Sequence, residues 1–411
     1  MSADPGAQPA GSLAKAPRGG VLEVFWAFLR LGLTSFGGPV AHLGYFRGEF
    51  VERRRWLDEP TFVDIVALCQ FLPGPASSQT GLMIGLSRAG YGGALAAWLG
   101  FTTPSALAMV LFAFAAPALT HALGGGWMHG LRLAAVAVVA QAVLAMLRSL
   151  APDRVRASLA VAAALAALWA PSAYIQLAVI AGGLLIGGFV LRAEPGQQRP
   201  ALPAMVGHRI GALSLAVFAV LLVGLPLAAG LTGDHGLDLF ARFYRVGSLV
   251  FGGGHVVLPL LQTEVVSPGW MSQSAFLSGY GAAQAVPGPL FTFAAYLGAA
   301  MGPAPNGWAG AAICLFGIFL PSFFLIVGVA PFWNVLRGRR EAQGALMGAN
   351  AAVVGLLAAA LYNPVWTSAV ATPTDVGLVL VAFLLLAAWR TPPWLVVALA
   401  AGAAQMLGSA V

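Results

Sequence analysis

Two long apolar runs in this sequence are interrupted by the same three residues. Pro73-Gly74-Pro75 stands in "FLPGPASSQ" and Pro287-Gly288-Pro289 in "AVPGPLFTF". Proline removes a backbone donor and disfavours helix at the residue before it, so a regular helix must stop at each site. In lipid, broken backbone persists only where protein buries it or where it lines a cavity. The chain has 411 residues, 59% hydrophobic and 9% charged, too few charges to cover a soluble globule and enough apolar sequence to cross a bilayer many times. The breaks therefore belong to an all-α polytopic membrane protein with interrupted segments.

Residues 1–20, rich in Pro, Gly and Ala and carrying Lys15 and Arg18, lack the apolar core of a signal peptide and read as a short disordered cytoplasmic tail. Cys69 and Cys314 lie in apolar segments and read as small buried hydrophobes, not as a disulfide or metal ligands. The net charge of +7 comes almost wholly from arginine, since Lys15 is the only lysine. No basic stretch is interleaved with base-stacking aromatics, so the excess reads as topogenic and no nucleic-acid partner is expected.

An internal duplication is the strongest pattern in the chain. "FGGPV" from Phe36 pairs with "FGGGH" from Phe251, and the same shift places Arg30 on Arg245 and Glu49 on Glu264. With a one-residue adjustment Gln70 falls on Gln284 and the two Pro-Gly-Pro motifs coincide; after a short insertion Gly100, Pro104 and Ser105 meet Gly317, Pro321 and Ser322. The organisation expected is a tail over 1–20, a first repeat over 21–192, a linker with a connecting transmembrane helix over 193–236, and a second repeat over 237–411.

Arginine orients the repeats. The loop from Arg47 to Glu59 carries four arginines and its partner, Gln262 to Gln273, none. The next loops reverse the bias: His121 to His129 has no Arg or Lys, whereas 333–345 has Arg337, Arg339 and Arg340. By the positive-inside rule the repeats are inverted, a signature of secondary transporters and some channels. Two apolar stretches, 62–88 and 91–118, then join an inside loop to an outside loop, and one of them must return. The Pro-Gly-Pro stretch is that one, because each limb has about 11 to 13 residues, roughly 17 to 20 Å of helix against a core of about 30 Å. Two re-entrant helical hairpins meeting from opposite faces are expected, with a similar return at the glycine-rich segments around Gly37 and Gly252.

The chemistry expected at the tips is anion binding. Ala76 to Thr80 after Pro75 form a half-helix N-terminus whose free amides and positive dipole end favour negative charge, with hydroxyls from Ser77 and Ser78. Thr292 stands at the equivalent depth after Pro289, among more apolar neighbours. Gly37, Gly38, Gly252 and Gly253 would let backbone approach a ligand, and Gln70 and Gln284 precede the breaks as candidate lining residues. Arg30 and Arg245 sit in aromatic-rich helical stretches, and two symmetric guanidiniums would suit a dianionic oxyanion through forked hydrogen bonds, or else anchor at the interface. Glu49, Glu264 and His255 are candidates for a coupling proton, although His42 and His255 do not align and each also reads as a packed histidine.

The stretch "SFGGPVAHLGYFRGEFVERRRWLDEPTFVDIVALCQFLPGPASSQ", with its degenerate copy from Leu249 to Phe293, resembles the duplicated signature of the chromate ion transporter family in its long, two-domain form. The resemblance spans nearly the whole chain beyond the tail. It implies an inner-membrane secondary transporter, N-terminus cytoplasmic, that exports chromate by proton-coupled antiport and confers chromate resistance. Its expected partners are the oxyanion and the bilayer; it leaves a homodimer open, and neither a cofactor nor a metal is expected. The copy departs from a clean repeat where Gly254 stands for Pro39 and where Gly-Trp-Met at 269–271 stands for Arg-Trp-Leu at 55–57, so the halves need not contribute equally. A transporter or channel for sulfate or another oxyanion needs the same geometry. A membrane enzyme is disfavoured, since the chain lacks Walker spacing, a paired-carboxylate cluster, a metal-ligand pattern and a Gly-x-Ser-x-Gly elbow.

Overall fold

The computed structural model describes residues 19–170, 172–191 and 205–408. Residues 1–18 of the expected tail and most of the linker near 193–208 lie outside these residues. Among the described residues every regular element is helical.

The first half runs through α1 (Val21–Thr34), α2 (Gly38–Arg47), α3 (Glu59–Phe71), α4 (Ala76–Leu123), α5 (Gly126–Leu150), α6 (Arg154–Trp169) and α7 (Ala173–Val190). The apolar segment between the halves forms α8 (His208–Thr232). The second half follows with α9 (His235–Leu249), α10 (Val257–Val265), α11 (Gln273–Ala283), α12 (Phe293–Ala300), α13 (Gly307–Val329), α14 (Trp333–Leu336), α15 (Arg340–Ala360), α16 (Thr367–Ala369), α17 (Pro373–Ala387) and α18 (Pro393–Met406). Five helical stretches among the described residues are long and apolar enough to cross a membrane: 76–123, 126–150, 208–232, 307–336 and 340–369. The chain is an all-α, multi-pass membrane protein.

Continuous as its hydrogen bonding is, α4 is not one rod. At Ala89 and Gly90 the backbone leaves helical geometry, with φ of −139° and 65°, and the chain folds back so that Gly85 meets the carbonyl of Gly93. A straight helix would hold those two residues about 12 Å apart. The 76–88 limb thus lies against the start of the 91–123 limb, with no side chain to separate them. The second half repeats the device, Gly298 of α12 meeting the carbonyl of Gly310 on α13.

Helix pairing exchanges the ends of the halves. Near the N-termini each half packs on itself, α1 on α4 and α9 on α13. Toward the C-termini the pairs cross over: α6 and α7 lie on α15, and α17 and α18 lie on α5. The largest hydrophobic cluster accordingly draws on both halves, from Ile65 and Leu133 to Phe276, Phe319 and Val354. One expectation needs correction. The loop placed from His121 to His129 shrinks to Gly124 and Gly125, because α4 continues to Leu123 and α5 begins at Gly126, where Gly124 in the left-handed region (φ 83°) ends the first helix.

Candidate functional site

Each Pro-Gly-Pro motif holds its glycine in the left-handed region, φ 121° at Gly74 and 101° at Gly288, where only glycine sits without strain. That conformation turns the glycine amide out of its own half. Gly74 N–H donates to the carbonyl of Val250 at 2.7 Å, and Gly288 N–H donates to the carbonyl of Ser35 at 2.9 Å. Val250 and Ser35 each precede a Phe-Gly-Gly segment. The two bonds are equivalent under the sequence repeat, so each tip docks at the glycine-rich turn of the other half. Serines close the same contact: a Cβ at Gly74 would stand 2.9 Å from Ser322 Oγ, and one at Gly288 would stand 2.8 Å from Ser105 Oγ.

Beyond the first tip, α4 begins at Ala76 with no side-chain cap, so the amides of its first turn are open. Ser77, Ser78, Gln79 and Thr80 of that turn are all buried. Ser77 Oγ lies 3.3 Å from Nδ1 of buried His42 on α2, and His42 packs edge-on against Phe101. Gln79 Nε2 donates to the Pro73 carbonyl at 2.7 Å and to Ser322 Oγ at 3.3 Å, tying the tip together across the halves. Several buried atoms here find no protein partner: Ser35 Oγ, His42 Nε2, Ser78 Oγ, Gln79 Oε1 and Thr102 Oγ1. Buried polar atoms are rarely left so, and those of His42, Ser78 and Gln79, beside the open amides of α4, are suited to an oxyanion.

The second tip is built differently. Pro289 leads into a single 3-10 turn, Leu290–Thr292, before the eight-residue α12. The Thr292 hydroxyl turns back to the Pro289 carbonyl at 2.8 Å, so it is not offered to a ligand as the sequence reading expected. His255 Nδ1 meets Tyr280 Oη at 2.8 Å. Gln284 is half-buried beside the Tyr280 hydroxyl, whereas Gln70 is exposed. Gly37, Gly38, Gly252 and Gly253 all have positive φ, from 76° to 139°, and form the turns that receive the opposite tips.

The paired arginines do not share one environment. Arg245 grips Glu264 through Nη2 at 2.6 and 2.8 Å and Nε at 3.2 Å, and Arg242 reaches the same carboxylate at 3.2 Å. Arg30, its repeat partner, is exposed on α1. The reason is local: Glu49, the counterpart of Glu264, is taken by Arg53 at 2.8 Å and Arg54 at 2.6 Å from its own loop. Two guanidiniums converging on one anion, as the repeat suggested, are therefore not what these side chains form. Each glutamate cluster is flanked by a tryptophan under arginine, Trp56 beneath Arg54 and Arg88, and Trp270 beneath Arg242. Burial pushes the Glu49 carboxyl up, but hydrogen bonds from Arg54 and Arg53 outweigh it and hold the group below the usual carboxylate range.

Sequence reading gave little weight to His42 and none to two cross-half contacts. Asp64 of α3 accepts from Arg337 at 3.0 Å and from Trp333 Nε1 at 3.2 Å. His129 of α5 meets Asp375, in the capping box of α17, at 2.7 Å. Repeat alignment cannot find such pairs, because the partners lie at non-equivalent positions of opposite halves. Among the described residues no group of three or more His, Cys, Asp and Glu could hold a metal ion.

Comparison with known proteins follows the same division into halves. A family model described as chromate transporter matches the chain twice, over residues 22–188 and 237–406. A chromate transport protein of Pseudomonas aeruginosa is 31% identical over 393 residues, covering 94% of this chain and 92% of its own length. One from Cupriavidus metallidurans is 26% identical over 394 residues, covering 93% and 92%. No solved structure matches.

Proposed function

The chain belongs to the chromate transporter family, and on that premise we propose that it carries chromate, a tetrahedral dianion, out of the cell across the inner membrane as a proton-coupled secondary transporter. The observation that carries this reading is the family match in both halves, joined to two tips that cross between them. Residues 21–192 and 237–411 act as inverted repeats, supported by the opposite arginine bias of the loops at 47–59 and 262–273. The two Pro-Gly-Pro segments act as re-entrant hairpins, supported by the fold-back at Ala89 and Gly90 and by a 76–88 limb of about 20 Å, too short for a core of about 30 Å.

Export suits the charge of the substrate. An inside-negative potential favours outward movement by about 2.3 kcal/mol per charge per 100 mV, so a dianion gains about twice that. For the coupling proton, Glu264 has the most telling geometry among the candidates Glu49, Glu264 and His255. Of the two carboxylates it alone joins two separate helices, α9 through Arg242 and Arg245 and α10 through its own backbone. Parting them would leave a buried carboxylate unpaired, a state costing several kcal/mol unless a proton is bound. Glu49 keeps its arginines on its own loop and would not be stripped by the same movement.

Proteoliposomes loaded with chromate test the reading. Chromate efflux that accelerates when an opposing proton gradient is imposed, and that confers resistance in cells, is the expected result. Sulfate moved with chromate untouched would overturn the substrate; chromate flux indifferent to the proton gradient, with membrane potential clamped, would overturn the coupling.

A further inference from the structure

The sequence repeat suggests two anion sites, one behind each tip, but the side chains differ between the halves in a consistent direction. Around the first site stand Ser35, His42, Ser77 and Thr102, all buried. The residues at the corresponding repeat positions are Val250, Val257, Phe291 and Phe319, equally buried and wholly apolar. Phe291 and Phe319 touch ring to ring, centroids 5.9 Å apart, where the first half has only a serine and a threonine. Each polar residue of the set is matched by an apolar one, and the apolar set fills its own space.

Resting on the oxyanion-transport reading above, we infer that the chain holds one oxyanion site, in the first half only, and that His42 is a substrate-contacting residue of it. His42 Nδ1 is 3.3 Å from Ser77 Oγ, the Ser35 backbone lies beside the ring, and Nε2 is buried without a hydrogen bond of normal geometry. Whichever ring nitrogen of a neutral His42 carries the hydrogen, the pair offers one donor to an oxyanion. With Nδ1–H donating to Ser77, the serine O–H is free; with the serine donating to Nδ1, Nε2–H is free. The open amides at the start of α4 supply further donors from the same turn. Ser35 Oγ, in the turn that receives Gly288, and Thr102 Oγ1, one residue after the Phe101 on which His42 packs, are likewise buried and unpartnered. The second half contributes structure rather than ligands: Gly288 docks on the Ser35 carbonyl and holds that turn in place. An unpaired Nε2 in an apolar core is costly to retain, and Val257 shows that the fold accepts valine at the equivalent position. The histidine is explained by something that binds it.

The test is equilibrium dialysis of the purified full chain in nanodiscs against chromate, read by chromate absorbance, with sulfate as a second arm. One chromate per chain is expected. His42→Ala and Ser77→Ala should each weaken binding at least tenfold, His42→Gln, which keeps a donor, should restore most of it, and Val257→Ala should leave it within twofold. Should His42→Ala fail to assemble, His42→Gln against Ser77→Ala makes the same comparison. Two chromates per chain, or wild-type affinity in His42→Ala, would overturn the single site or the role of His42. If the wild type binds sulfate and not chromate, the substrate reading falls while the same variants judge the site on sulfate; if it binds neither, both fall.

Discussion

The backbone amide of Gly74 donates to the carbonyl of Val250 at 2.7 Å, so the tip of the first half is held by the second. Its counterpart, Gly288 on Ser35 at 2.9 Å, means that neither Pro-Gly-Pro tip is positioned by its own half alone. Any movement that opens one tip must break a bond to the other half, which makes these glycines the places where a small change should cost most.

Gly74→Ala adds a Cβ 2.5 Å from Gln79 Nε2 and 2.9 Å from Ser322 Oγ, at a φ that disfavours any L side chain by about 1 to 2 kcal/mol. Chromate transport per molecule inserted should fall at least tenfold. Adding Ser322→Gly removes one of the two obstructions and should recover part of the loss. A fully active Gly74→Ala would show that the tip tolerates displacement.

For the arginines the expected outcomes diverge. Arg30 is exposed, and Arg30→Lys keeps a long cationic stem, so its transport should stay within twofold of wild type. Arg245→Lys loses the fork on buried Glu264 and should lower both the melting temperature of the purified protein and its transport rate. Glu264→Ala, which leaves Arg245 without a carboxylate while Arg242 keeps Asp238 at 2.8 Å, should lower the melting temperature further than Arg245→Lys does. Equal behaviour of the Arg30 and Arg245 lysine variants would contradict the asymmetry.

The Glu49 cluster has a definite pH signature. Its carboxyl is held below the ordinary range, so the folded state binds its proton less tightly than the unfolded state, and its stabilising contribution is complete above the unfolded value of about 4.3. That contribution is lost as pH falls through the lower, folded value. Wild type should therefore melt above Glu49→Gln at neutral pH, and the gap should close as the pH drops below about 4. A gap unchanged at acid pH would mean that Glu49 stabilises the loop through something other than its charge.

Orientation is testable at two equivalent helix starts. Thr61 lies in the first turn of α3, and Ser272 caps α11 with its side chain exposed. Single cysteines there, in a background without Cys69 and Cys314, should differ toward an impermeant maleimide applied to intact cells. Ser272→Cys should label and Thr61→Cys should not. Equal labelling would remove the inversion and the re-entrant reading with it.

Hydropathy and proline chemistry act locally, and so the membrane class, the helix breaks at 73–75 and 287–289, the α8 segment and the family were legible in the sequence alone. A break in a helix is decided by the residue that makes it. What the broken ends touch is decided elsewhere. Arg30 and Arg245 look equivalent in the repeat, yet one is exposed and the other clamps a glutamate, because Arg53 and Arg54 reach Glu49 first. His42 read as a packed histidine until the fold set it on Ser77 at the open end of α4. The crossed bonds of Gly74 and Gly288 join residues far apart in sequence, and a glycine carries no side chain by which a partner could be foreseen. Local propensity determines where a chain must stop being helix; only close packing of the two halves, each burying the other's unpaired groups, decides which donors remain for a ligand.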